Sequence, residues 1–525
     1  MRGEKMAKDK RMSLLKVTSM VIIINLLSKI TGFIRDFITA SKFGTSVSAD
    51  AFSMSSVVPN IIFAILGAAI VNTFVPIFND VIVNKGEKRA FKFSNNVITV
   101  LTLLSIILTL LGEIFCPQFV KLIAPDFHGY KYLLTIKLTR IFLLIIIVNT
   151  WVFLSTAILQ AKEHFLIPSL IGIPYNLLVI VYLLFFSSKY GVLGLTEVIV
   201  FAMFVQFLIH VPSLARMKYR YKPEFNISDG YLKSMVVLLI PILLGTSVQQ
   251  ITSLFNGRFS SSLETGSVAA LSYASRLNSL VMDIFVISIV TVIYPKMTKL
   301  SSENKIGELI ESFNISIRSI TIILFPIITI ILIESVPIVK ILFQRDAFGN
   351  KSTLMTSTAL FYYIIGIIAA GLREVLCRMF YALKDTRTPM INSAITVLVN
   401  VVLAYYLKDV LRLGGIALAS SIAAYVSSIL LFIKLNSKLK NINYRKTIGV
   451  TIKVIFASIG MGIFLKVLYQ IIGQALLKKA IIIEIIGFGG ITIIALLIYM
   501  LILYLMKVEE INMVSAFLYK KIKRG

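Results

Sequence analysis

Runs of about 20 apolar residues recur from end to end of this 525-residue chain. Each is long enough to cross a hydrocarbon core of about 30 Å. Lipid offers no partner to backbone N–H and C=O groups, so a spanning segment must satisfy them as a helix or a closed barrel. Barrel strands would alternate apolar and polar residues over about 10 positions. Here the runs are continuous, which selects helices. Only 15% of the residues are charged and the mean hydropathy is +0.89, against about 25% charged in soluble domains. The expected fold is therefore an all-α polytopic membrane protein of about 14 transmembrane helices. The expected spans are 16–42, 48–82, 94–116, 132–160, 165–187, 192–215, 231–257, 267–295, 309–333, 353–383, 388–407, 413–435, 447–470 and 481–506.

The net charge of +28 has a membrane explanation, because Lys and Arg collect in cytoplasmic loops beside anionic lipid. No pattern for nucleic-acid binding competes with it. Basic clusters lie at the N-terminus, at "KGEKRAFK" (85–92), "RMKYRYK" (216–222), "KLNSKLKNINYRK" (434–446) and "KKIKRG". Roughly thirty basic residues fall on one side and about twelve on the other, which places both termini in the cytoplasm. The basic start "MRGEKMAKDKRMSLLK" runs into Lys29 and Arg35 rather than a small-residue cleavage site, and reads as a retained first helix. The two cysteines, Cys116 and Cys377, sit in apolar surroundings and read as small core residues. His128, His164 and His210 are scattered and make no metal site. Walker, HExxH and paired CxxC motifs are missing, so energy would come from a gradient of Na+ or H+ or from the membrane potential, with no cofactor and no enzymatic chemistry.

The chain repeats itself. "ITGFIRDFITASKFGTSVSADAF" from Ile30 aligns without a gap on "ITSLFNGRFSSSLETGSVAALSY" from Ile251, a shift of 221 positions. "AKEHFLIP" (161–168) aligns on "LKDTRTP" (383–389) so that Pro168 falls on Pro389 at the same shift. Six helices would thus be duplicated in the same orientation, giving bundles over 1–222 and 223–440, with 441–525 as two additional helices. Paired bundles around a central cavity are a common transporter plan.

Charges inside the spans carry the functional information, because each costs roughly 2.5–3.5 kcal/mol near the bilayer centre. The first span holds Asn25, Ser28, Lys29, Thr31, Arg35 and Asp36. The second holds Asp50, Asn60 and Asn72. The eighth holds Arg276 and Asp283, and the tenth holds Arg373, Glu374 and Arg378. Arg35–Asp36 reads either as a helix-end pair or as part of a site. Arg373, Glu374 and Arg378 read either as one ion cluster, Glu374 and Arg378 being four apart, or as substrate ligands. Lys29 and Arg276 have no carboxylate within their own turn, although Asp283 lies seven residues from Arg276, near the same helix face. Net positive charge in a cavity calls for an anion, Arg by its fork and Lys as a point charge. In the eleventh span Asn392, Thr396 and Asn400 form one stripe. Facing Ser247, Gln249 and Gln250 they could ligate a small cation through oxygen; the competing reading is hydrogen bonding between helices.

The segments "SKITGFIRD" (28–36), "ADAF" (49–52), "PN" (59–60), "FVPIF" (74–78), "LLGTSVQQI" (243–251), "GSVAALSYASRL" (266–277), "YPKMTK" (294–299) and "LREVLCRMFYALKDTRTP" (372–389) resemble the MurJ (MviN) family of the MOP superfamily. The resemblance implies a lipid II flippase of the bacterial cytoplasmic membrane. Such a protein moves the undecaprenyl-pyrophosphate-linked peptidoglycan precursor between leaflets by alternating access. It implies that Lys29, Arg35 and Arg276 correspond to the family's cavity cations and Asp50 to its helix-2 acid. It also implies a groove for the lipid tail in the last two helices; membrane lipids and cell-wall synthesis enzymes are the further partners expected. The chain departs from the family pattern twice. Lys29 stands where an Arg is usual, and "PNIIFAILGAAIVNTF" lacks the family's Arg pair. An exporter of another polyprenyl-phosphate-linked oligosaccharide is therefore a second reading. A cation-coupled multidrug exporter is a third, opposed by the basic cavity, and a cell-wall scaffold is a fourth.

Overall fold

The computed structural model describes residues 2–440, 442–473 and 481–511, with side chains described over 17–62, 70–239, 250–440, 442–471 and 483–511. Every regular element among the described residues is helical. Eleven helices are long and apolar enough to cross a membrane, and twelve when one bent pair counts as a single span. The expected count of fourteen is thus not reached among the described residues. The second and seventh expected spans pass through residues 63–69 and 240–249, whose side chains lie outside them.

By contact the chain divides into two compact units. One comprises Met1–Ala269 with Arg345–Phe348, and the other comprises Ala270–Gln344 with Gly349–Gly525. The helix 231–257 was expected in the second bundle, and it packs within the first unit. The two additional helices pack within the second.

The first unit holds α1 (Arg2–Phe43), α2 (Val47–Ser55), α3 (Val57–Lys85), α4 (Glu87–Ile114), α5 (Cys116–Ile123), α6 (Gly129–Leu143), α7 (Ile145–Ala161), α8 (Leu166–Leu170), α9 (Gly172–Phe185), α10 (Ser187–Arg216) and α11 (Gly230–Ser261). The expected second span is broken. Ser46 caps α2 by accepting a hydrogen bond from the Ala49 amide at 3.2 Å. Its helix ends at Ser55, and α3 starts with Pro59 in its first turn, where proline's missing N–H costs nothing. Phe74, Phe78 and Phe93 stack at 5.4 and 5.5 Å in the core between α3, α4 and α7. At α11, Asp229 accepts from the Tyr231 amide and pairs with Arg89 at 2.7 Å.

The second unit begins within α12 (Ser267–Val281). A π-helical turn, Met282–Ile287, leads into α13 (Ser288–Ser302). Then follow α14 (Ile306–Phe343), α15 (Asn350–Ile365), α16 (Ile367–Ala382), α17 (Arg387–Leu411), α18 (Leu413–Lys438), α19 (Arg445–Leu468) and α20 (Ile481–Leu505). The pair α15–α16 is bent by 44° at Gly366. Lipid tails are as apolar as Leu, so helices associate here by close packing and hydrogen bonds rather than by hydrophobic burial. The α18 face of Gly414, Ala417, Ser421 and Ser428 shows both. Ser421 Oγ donates to the Tyr362 carbonyl at 2.6 Å, and Ser428 Oγ to that of Ala369 at 2.6 Å. On the other side of α14, Tyr499 of α20 donates to the Ile322 carbonyl at 2.7 Å. Arg318 is held there by Glu311, Glu510 and Thr447.

The shift of 221 reappears in the helix boundaries. It carries α6 onto 350–364 and α7 onto 366–382, against observed α15 and α16. It carries Glu163 (φ 62°) onto Lys384 (φ 59°) and Gly191 (φ 57°) onto Arg412 (φ 50°). The turn hydrogen bonds coincide as well: His164 N to Leu159 O at 2.8 Å, and Asp385 N to Phe380 O at 2.9 Å.

Candidate functional site

Arg35 is the best-defined cation of the first unit. Its Nε and Nη2 donate to Asp36 Oδ1 at 3.0 and 2.7 Å, and its Nη1 donates to Asn176 Oδ1 at 3.0 Å. The guanidinium lies 5.3 Å from the Tyr175 ring centroid, within cation–π range. Asn176 in turn donates from Nδ2 to the Ser28 carbonyl (3.0 Å) and to Thr31 Oγ1 (3.1 Å). One amide of α9 therefore ties two turns of α1 and orients Arg35. The arginine side chain is 18% exposed, so the planar fork is aimed yet still reachable. Lys29 lies exposed on the same helix, six residues and about 120° around from Arg35.

Asp50 does something other than expected. It is fully buried (0% exposed). Its Oδ2 accepts from Lys131 Nζ at 2.6 Å and from the Gly266 amide at 2.7 Å, and its Oδ1 accepts from the Ala269 amide at 2.9 Å. The carboxylate thus satisfies orphan amides at the start of α12 and neutralises Lys131. Both oxygens are taken up by the protein in this conformation.

In the second unit, Arg276 is exposed on α12 and Asp283 sits in the π-helical turn after it, a distortion frequent at functional sites. Arg373 and Arg378 both approach Glu374, at 3.5 and 3.8 Å. Arg378 also lies 5.5 Å from the Tyr294 ring and 5.9 Å from that of Tyr381. These three charges form the intrahelical ion cluster that their spacing allowed.

The stripe Asn392–Thr396–Asn400 makes the hydrogen bonds between helices that its spacing also allowed. Asn392 Nδ2 donates to Ser427 Oγ at 2.6 Å, Asn400 Nδ2 donates to Ser420 Oγ at 2.9 Å, and Thr396 Oγ1 donates to the Asn392 carbonyl at 2.7 Å. The two asparagines therefore join α17 to α18 through their Nδ2 atoms, while the buried Oδ1 of each has no partner among the described residues. The physical reason is spacing: Ser420 and Ser427, seven apart on the next helix, present their hydroxyls in step with the asparagines. Gln250 is half-buried on α11, while Ser247 and Gln249 lie outside the residues whose side chains are described. No group of three or more His, Cys, Asp or Glu able to hold a metal occurs among the described residues.

Reading the sequence missed Tyr175, Asn176 and Lys131. Asn176 was visible as a polar residue within the apolar run "IPYNLLVIVYLLF". Lys131 gave no local signal, because its partner is 81 residues away.

A sequence model described as lipid II flippase MurJ matches residues 39–508. A probable lipid II flippase MurJ of Buchnera aphidicola subsp. Acyrthosiphon pisum is 30% identical over 429 residues, covering 81% of this chain and 84% of that protein. One of Rickettsia prowazekii is 26% identical over 503 residues, covering 95% and 98%. Among solved structures, a lipid II flippase MurJ in an inward closed conformation superposes with a TM-score of 0.77 at 24% identity, covering 92% of this chain and 98% of that one. An inward-facing multidrug resistance MATE family transporter of the MOP superfamily superposes at 0.67 and 17% identity, covering 80% and 97%. These two likenesses establish the fold. With the family's sequence model matched over most of its length, this multi-pass membrane chain belongs to the lipid II flippase MurJ family.

Proposed function

We propose that this chain flips lipid II from the inner to the outer leaflet of the bacterial cytoplasmic membrane by alternating access, with both termini in the cytoplasm. It acts as a transporter, not as an enzyme. Lys29, Arg35 and Arg276 receive the pyrophosphate, Arg35 through the guanidinium N–H groups that Asp36 and Asn176 leave uncommitted and Lys29 as a compact charge. The observation that supports this most is the setting of Arg35: Asn176, Asp36 and Tyr175 hold it in one orientation while its side chain stays reachable. Pre-orientation lowers the entropic cost of binding a diphosphate. Neutralising the cations would remove their mutual repulsion and favour the conformation that encloses the headgroup. Resetting draws on the membrane potential, worth about 2.3 kcal/mol per charge per 100 mV, or on a gradient of Na+ or H+. Arg373 and Arg378 are held by Glu374 and serve the site at most from its edge.

The tail lies against the last two helices. An apolar cavity of about 530 Å³ between α14, α16, α18 and α19, lined by Phe325, Phe432 and Ile448, supports an alkyl ligand on this flank. The uncharged stretch from Pro59 to Phe74 favours a second reading, in which the passenger is another polyprenyl-phosphate-linked glycan. Depleting a host's own flippase while expressing this chain separates the two. Rescue of growth supports lipid II; failure to rescue, with the protein made and inserted, supports the other glycan.

A further inference from the structure

Glu334 lies inside α14, a helix long and apolar enough to span the membrane, and is 2% exposed. Its backbone leaves the helix (φ −116°, ψ 27°), and Pro337 follows three residues on. A proline ring there displaces the carbonyl four residues back, which explains a break at this point. Among the described residues Glu334 makes no hydrogen bond and no ion pair.

The duplication shows what is missing. At the shift of 221, Glu334 corresponds to Glu113 at the end of α4. Glu113 is half-buried and pairs with Arg140 at 3.5 Å. Arg140 corresponds to Phe361 on α15, and α15 packs on α14. The second half therefore keeps the acid, buries it and lacks the cation. Nearby charge does not replace that cation. Ile333 and Ile338, which flank Glu334 on α14, pack in one core with Tyr469 and with Tyr499 and Leu503 of α20, and Glu484 of α20 binds Lys340 at 2.8 Å. This cluster of α14, α19 and α20 thus holds two carboxylates and one ammonium. On the other packed elements, α15 has Lys351 in its first turn and no charged residue after it. Lys466 of α19 is exposed. Lys296 and Lys299 lie on α13. On α16, Arg373 is paired with Glu374, and Arg378 lines the same small cavity as Ser316, roughly 27 Å along α14 from Glu334 at 1.5 Å per residue.

We propose that Glu334 is a proton-binding site, occupied in this conformation and emptied only when the contact of α14 with α19 and α20 opens to water. A lone carboxylate at this depth is costly, and a bound proton is the simplest neutralising ligand. The kink at Glu334 supplies the place where α14 can bend to admit water.

Infrared difference spectra of the purified full chain in lipid vesicles, neutral against alkaline pH, test this directly and need no passenger lipid. Wild type should show a protonated-carboxyl band at neutral pH that is absent from Glu334→Gln. Phe361→Arg restores the first half's arrangement and should also remove the band, by holding Glu334 as a carboxylate. It serves as the second variant should Glu334→Gln not insert. A band unchanged in both variants, no such band in wild type, or a carboxylate signal that responds to Na+ and not to pH would each overturn the proposal. The same results leave lipid II transport untouched, so the two claims fail separately.

Discussion

Segments matched at a shift of 221 share backbone features and differ in what their positions carry. Glu163 and Lys384 occupy the same left-handed turn, and Gly191 and Arg412 the same break. Yet Asp50 falls on Leu271, Arg35 on Asn256, Asn176 on Val397 and Arg140 on Phe361. Backbone geometry survived duplication because caps and turns tolerate many side chains. The ion pairs inside the membrane did not: Glu113 keeps its acid at Glu334, but its partner Arg140 falls on Phe361.

The largest effect expected from breaking this asymmetry is at Asp50. Asp50→Ala strips Lys131 and the Gly266 and Ala269 amides of their acceptor. Breaking a buried ion pair costs about 3–5 kcal/mol, so thermal unfolding in detergent should show a large loss or no folded protein. A shift below about 1 kcal/mol would mean that Asp50 is not the anchor described here.

The matched break is the next test. Positive φ with strongly negative ψ is suited to glycine and strained for other residues. Gly191→Ala should destabilise by about 1–3 kcal/mol. Arg412→Gly should raise the unfolding temperature by relieving the strain that Arg412 now carries (φ 50°, ψ −127°). Equal and opposite shifts would sharpen the correspondence; destabilisation by both would break it.

Asn176→Leu removes the amide that orients Arg35 and ties α1 to α9. Transport should fall roughly tenfold, as expected for losing about 1.4 kcal/mol of positioning. The folded fraction should change little, since Asn400→Ala, which removes one interhelical bond at α18, costs only about 1 kcal/mol. Unaltered transport by Asn176→Leu would remove the reason for singling out Arg35.

The smallest effect concerns pH. Burial alone would raise the Asp385 carboxyl, but hydrogen bonds from Lys438 and from the amide and hydroxyl of Thr388 outweigh it and hold it at about 2, below its ordinary 3.8. A depressed acid stabilises the fold above its ordinary value and loses that contribution as pH falls towards the folded one. The stability gap between wild type and Asp385→Asn should therefore be full at pH 5 and shrink towards pH 2.

Much of the architecture was legible in the chain itself. Apolar run length selected spanning helices, and gapless alignment over "ITGFIRDF" revealed the duplication. Arg35 stood out because a charge in an apolar run is expensive. Its partners did not: Asn176 is 141 residues away, and nothing local chooses between the helices that α1 could meet. Asp50 was noticed but its acceptor role was not, because that role depends on amides 216 and 219 residues away. The asparagine stripe of α17 was legible as one polar face, but which helix it bonds was not, although Ser420 and Ser427 on the following helix carried the matching spacing.

The claim that the cations of the two repeats bind a diphosphate lipid is tested most directly by measuring lipid II flipping with the purified chain in vesicles. The predicted result is flipping above protein-free vesicles, lowered at least roughly tenfold by Arg35→Ala or Arg276→Ala in folded protein, as loss of a charge-assisted contact requires. Flipping at wild-type rate in both variants, or none by the folded wild type, would contradict it.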